Sequence, residues 1–132
     1  MSSADLKANR PLSPHLQIYH WAPTMFVSIA HRVTGVALYV GTLLLAWWLL
    51  AVATGPKHFR LVSDLAGSWI GLVVLFGYTW ALMFHALGGI RYFIWDSGRG
   101  MGKPARDQLA IAQIVGSVVL TVILWVIGIL VW

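Results

Sequence analysis

The chain contains no cysteine. Within this polypeptide that excludes a thiolate-held iron–sulfur cluster, a covalently attached c-type haem and a disulfide framework. Ligation through histidine or methionine stays open. Glutamate is absent too, and the chain's only acids are four aspartates. Charged residues make up 10% of the sequence, well below the share found in soluble domains. No aspartate falls inside any of the long apolar stretches, which weighs against a transporter or channel that binds a cation or proton within a span.

What is present is apolar. Hydrophobic residues reach 59%, and eight tryptophans suit a chain with two lipid–water interfaces. Three uncharged runs, residues 33–53, 65–90 and 109–132, each exceed the roughly 20 residues that cross a bilayer core. Backbone groups in lipid must be satisfied internally, so each run is expected to be helical. The expectation is an all-α membrane protein with spans over about 28–53, 65–95 and 108–132. An irregular interfacial segment, 1–27, precedes this three-helix anchor domain. Its prolines Pro11, Pro14 and Pro23 preclude one continuous helix there. The first run starts too late and is too long for a cleavable signal peptide.

The basic residues lie between the runs and act as topology signals rather than as a nucleic-acid footprint. Lys7, Arg10, Arg32, Arg91, Arg99, Lys103 and Arg106 would share one side, and Lys57 and Arg60 the other. This predicts a cytoplasmic N-terminus and a periplasmic C-terminus, with Trp132 as an interfacial anchor. No Arg- and Ser-rich presequence opens the chain, which favours a bacterial cytoplasmic membrane. "DSGRGMGKP" (96–104) is a glycine-rich turn. Its glycine spacing, and Pro104 after Lys103, exclude a phosphate-binding loop.

Polar residues fall on faces of the expected helices. Around His85, helical spacing gathers Gly67, Gly71, Tyr78, Gly88, Gly89, Tyr92 and Asp96, whereas Arg91 is expected to point away, toward the inner interface. The first span carries Ser28, His31, Arg32, Gly35, Tyr39 and Thr42, and the third Gln113, Gly116, Ser117 and Gly128. Small residues on one face admit another helix or a flat cofactor. Three helices make a thin bundle, so a second membrane chain is expected beside it.

Each candidate site has a plain structural alternative. His85 could hydrogen-bond a neighbour, relay protons or bind haem iron. As a ligand of six-coordinate haem it would need a second ligand from another subunit, because no other histidine lies deep in a span. Arg32 could be a headgroup anchor, or could join Ser28 and His31 in binding an anion or a reducible carbonyl. Asp96 could pair with Arg91 or Arg99, or relay protons. A cofactor-free membrane adaptor remains the other rival to a redox role.

Three segments, "RPLSPHLQIY" (10–19), "SIAHRVTG" (28–35) and "HALGGIRYFIWD" (85–96), resemble the cytochrome b556 family of succinate dehydrogenase membrane anchors. The resemblance covers residues 10–96; the third span matches only in length and hydrophobicity. It implies a complex in which a flavoprotein subunit oxidises succinate and an iron–sulfur subunit passes electrons to ubiquinone at the membrane. This chain and a smaller membrane anchor subunit would hold those subunits, with haem b between the two anchors. His85 then corresponds to an axial ligand of the haem iron, the other histidine coming from the smaller anchor. Ser28 and Arg32 correspond to quinone-binding residues, His31 and Arg32 to haem propionate contacts, and Asp96 to a proton-relay candidate. Many relatives have histidine where this chain has Tyr92. No residue of this chain would oxidise succinate alone.

Overall fold

The computed structural model describes residues 19–131. Residues 1–18 of the expected interfacial segment, with Pro11, Pro14 and His15, lie outside the described residues, as does Trp132. Four helices follow in order: α1 (Pro23–Thr54), α2 (Pro56–Gly67), α3 (Trp69–Asp96) and α4 (Lys103–Val131). There is no strand among the described residues. α1, α3 and α4 are long and apolar enough to cross a membrane. At about 1.5 Å per residue even the 28-residue α3 is longer than the hydrocarbon core is thick, so its ends reach the headgroup level.

Local chemistry sets the helix ends. α1 begins earlier than the expected residue 28 because Pro23 supplies its first turn, where the missing N–H is no loss. Gly55 separates α1 from α2 at φ 116°, a conformation that disfavours any side chain, and Pro56 restarts the helix. The stretch between the first two spans, expected as a loop, is thus the amphipathic helix α2. It carries Phe59, Val62 and Leu65 on one side, and His58 is helical.

The run 65–90 is not one helix. Ser68 interrupts it in extended backbone, and its Oγ accepts the Gly71 N–H at 3.1 Å as the N-cap of α3. Residues 65–67 therefore close α2, and Gly67 leaves the face that was expected to hold His85. Residues 97–102 form the turn between α3 and α4, with Gly98 and Gly100 at positive φ.

The interior is more polar than the surface. Val27, Phe84 and Ala110 form a small apolar centre, with Ala30, Trp80 and Ile114 against it. Around it Thr34, Arg91, Gln113, Ser117 and Thr121 are buried, while leucines and valines of all three long helices face outward. Lipid offers apolar side chains no reason to turn inward, so small and hydroxyl residues take the helix contacts. Thr34 and Thr121 satisfy themselves on their own helices, bonding the carbonyls of Ala30 (2.9 Å) and Ser117 (2.7 Å). Gln113 ties α4 to α3, its Nε2 donating to the Phe84 carbonyl at 2.9 Å.

Candidate functional site

α3 buries Ala81, Phe84, Gly88 and Arg91, a spacing of three and four that forms one seam against α4 and α1. His85 stands at the edge of that seam, facing α1. Its ring lies on the ring of His31 with centroids 4.0 Å apart and planes 11° from parallel. Two glycines permit this. A Cβ on Gly35 would lie 3.1 Å from His85 Cε1, and a Cβ on Gly88 would overlap the His31 ring and come within 2.9 Å of Gln113 Nε2.

His85 Nδ1 is 3.2 Å from the backbone oxygen of His31. A carbonyl only accepts, so Nδ1 carries a proton, and in the neutral ring Nε2 keeps the lone pair. Among the described residues nothing bonds Nε2. This is how metal-binding histidines are commonly oriented, with one nitrogen tied to a carbonyl and the other presented to the metal. His31 packs directly against the same ring, so it cannot stand opposite His85 across a metal.

Beyond His31 the cluster continues toward the α3 C-terminus. The Tyr92 ring meets His31 edge-on at 5.3 Å and Trp95 at 5.5 Å. The Arg91 guanidinium lies over the Trp95 ring at 4.8 Å and near Tyr92 at 5.5 Å. Arg91 is only 2% exposed, contrary to the expectation that it reaches the interface as a topology charge. Among the described residues its Nε and Nη1 are buried without a partner, as are His31 Nε2, Trp95 Nε1 and Gln113 Oε1. Aromatic faces contribute on the order of 2 kcal/mol to a desolvated cation. Burying an unpaired ion costs several kcal/mol, so the rings alone do not offset it. The heptad-like spacing from Ala81 through Phe84 and Gly88 was the signal that places Arg91 inside.

The remaining expected residues are more open. Ser28 is half-buried and lines a shallow depression of about 280 Å³ with Thr24, Met25 and Ile29. Arg32 and Asp96 are exposed and make no hydrogen bond or ion pair among the described residues. The structure thus unites His31 with His85, and leaves Arg32 and Asp96 unconnected to that pair. A larger groove of about 580 Å³ between α1, α2 and α3 is lined by Leu44, Trp47, Val62, Leu65, Ile70 and Leu75 among others. It offers a ligand almost no polar handle, so chemistry belongs to the histidine cluster.

Comparison with known proteins identifies the family. Residues 7–124 match the family model described as succinate dehydrogenase/fumarate reductase transmembrane subunit. The succinate dehydrogenase cytochrome b556 subunit of Paracoccus denitrificans is 42% identical over 117 residues, covering 89% of this chain and 90% of that one. The mitochondrial succinate dehydrogenase cytochrome b560 subunit of Sus scrofa is 38% identical over 120 residues, covering 89% and 71%. The cytochrome b556 subunit of Rickettsia felis is 37% identical over 117 residues, covering 89% and 91%. With most of its length matched by the family model and by relatives well above 30% identity, the chain belongs to the family of succinate dehydrogenase/fumarate reductase transmembrane subunits.

Proposed function

We propose that this chain is the larger membrane anchor of a succinate dehydrogenase, that it supplies one axial ligand to haem b through His85 Nε2, and that it forms part of a ubiquinone-reduction site. The observation that carries this reading is the His85 Nδ1 contact with the His31 carbonyl, which leaves Nε2 with its lone pair and no partner among the described residues. The printed names of the relatives, cytochromes b556 and b560, point to the same group. When bound, haem b supplies a one-electron store. His85 holds the iron side of that group, and His31 buttresses the His85 ring. Stacked on His85, His31 is not available as a second ligand, which a histidine of a smaller membrane anchor subunit would supply.

Ser28 and Arg32 share a face one turn apart near the N-terminal end of α1. There they bind and orient the quinone headgroup, a hydroxyl donating to one carbonyl while a guanidinium stabilises charge gathering on the ring. His31 and Arg32 would contact the haem propionates. Asp96, exposed at the last residue of α3, hands protons from water toward the quinone. The N-terminus lies on the cytoplasmic side of a bacterial cytoplasmic membrane and the C-terminus on the periplasmic side, so that these residues face the docked iron–sulfur subunit. That subunit receives electrons from the flavoprotein subunit. The outward leucines and valines meet lipid and the smaller anchor.

An absorbance spectrum of the complex purified from membranes tests this function. Sharp visible bands on reduction, lost in His85→Leu while all subunits remain, are the expected result. A reduced complex without such bands refutes the haem assignment.

A further inference from the structure

We infer that Thr34 is a positioning residue for His85: its buried hydroxyl competes with the His85 ring for the backbone carbonyl of His31, and so sets how strongly that carbonyl holds and polarises the imidazole. The inference rests on the haem reading of His85 and adds a residue which that reading does not use.

The His31 carbonyl is crowded. His85 Nδ1 reaches it from α3 at 3.2 Å. Thr34 Oγ1, about one turn further along α1, lies 3.0 Å from the same oxygen and 2.9 Å from the Ala30 oxygen. α1 is helical throughout this stretch, so the Gly35 N–H points at the His31 oxygen as well. Three donors thus face an oxygen with two lone pairs. A helical threonine can bond the carbonyls three and four residues back, but its hydroxyl has one proton to give. While that proton goes to His31, the carbonyl is a poorer acceptor for His85. While it goes to Ala30, the carbonyl is released.

The surroundings keep this competition local. Thr34 is only 3% exposed, so water does not relieve either carbonyl. A Cβ on Gly35 would lie 3.5 Å from His85 Nδ1 and 3.1 Å from Cε1, so the bare glycine is what lets the ring come this close. The His85 contact sits at the long end of the range for N–H···O bonds, as a shared acceptor requires.

The bond made by Nδ1 bears on the nitrogen across the ring. Donation from Nδ1–H to a carbonyl raises the basicity of a histidine that binds metal, and such outer bonds tune the potential of haem iron. A more basic Nε2 favours the more highly charged, oxidised iron and lowers the potential. Thr34 draws on the same carbonyl and so holds the potential above what the two histidines alone would set. Thr121 is the natural comparison. It is equally buried, but its hydroxyl bonds the Ser117 carbonyl of its own helix at 2.7 Å.

The test uses the whole complex purified from membranes, as wild type, Thr34→Val, Thr34→Ser and Thr121→Val. Haem per complex is read by absorbance, the haem midpoint potential by redox titration, and subunit content by gel. Thr34→Val keeps the side chain's shape and loses its donor. It is expected to retain subunits and haem and to titrate at a lower potential. Thr34→Ser keeps a hydroxyl within reach of both carbonyls and should titrate as wild type does, and so should Thr121→Val. An unchanged or raised potential in Thr34→Val overturns the inference. So does an equal fall in Thr34→Ser or Thr121→Val, because the Thr34 hydroxyl would then not be the cause. Should Thr34→Val fail to assemble, Thr34→Ala carries the same prediction. Failure of both, with Thr34→Ser intact, would assign the hydroxyl to folding and overturn the inference. A wild-type complex with no haem bands would instead refute the His85 assignment on which it rests.

Discussion

The imidazoles of His31 and His85, 54 positions apart in the chain, lie face to face at 4.0 Å, and the backbone oxygen of one residue takes the ring N–H of the other. The pair couples α1 to α3 and fixes which nitrogen of His85 is available. A structural contact and the orientation of the proposed ligand are therefore the same interaction, and substitutions around it separate the two.

His85→Leu removes the coordinating nitrogen and keeps an apolar residue of similar bulk. The three long helices stay apolar, so membrane insertion and subunit content are expected to persist while haem absorbance disappears. A variant with the wild-type spectrum would show that iron is held elsewhere.

Gly88 and its neighbour Gly89 make a matched pair. A methyl group on Gly88 runs into His31 and Gln113, whereas one on Gly89 meets nothing within 4 Å. Gly88→Ala is expected to cost about 1–3 kcal/mol through overpacking and to loosen the histidine stack. Gly89→Ala should be neutral or stabilising by up to about 1 kcal/mol, from helix propensity alone. Thermal denaturation of both variants in detergent checks the contrast; equal melting temperatures would contradict the packing described for Gly88.

Gln113→Leu deletes the side-chain bond from α4 to the Phe84 carbonyl and also removes the unpaired Oε1. The two effects oppose each other. A net loss of about 1 kcal/mol or less is expected, as for a single hydrogen bond. A loss several times larger, read from a denaturant titration, would mean that Oε1 has a partner in the assembled complex.

Arg32→Leu separates the quinone from the rest of the electron path. Succinate-driven reduction of ubiquinone should fall at least tenfold, roughly the effect of about 1.4 kcal/mol at the transition state. Reduction of a water-soluble dye by the same preparation should stay near wild type. Parallel loss of both activities would indicate failed assembly and remove Arg32 from the quinone site.

Much of the architecture was legible in one dimension. The length and apolarity of three runs announce three spanning helices, because the bilayer imposes a minimum length and demands internal hydrogen bonding. The polar stripes were partly legible. Gln113 and Ser117 do turn inward, and His31 and Gly35 face His85, whereas Arg32, Tyr39 and Thr42 from the same stripe are exposed. Helical spacing says which residues share a face but not which part of that face meets a neighbour. Charge was misleading twice. Lys57 and Arg60 suggested a loop where α2 forms, since a short amphipathic helix gives no long apolar run. Arg91 suggested an interfacial anchor because a cation in a membrane chain ordinarily seeks water.

By itself the sequence determined that the chain is helical, where it crosses lipid, and that His85 is the histidine embedded deepest. Hydropathy, proline and glycine act locally, so they can be read locally. Tertiary structure alone decided that His31 lies on His85, that Ser68 divides an apolar run, and that Arg91 is enclosed with no acidic partner among the described residues. Those outcomes depend on how close two helices approach and in what register. That is settled by whether a Cβ fits between surfaces many residues apart, as at Gly35 and Gly88.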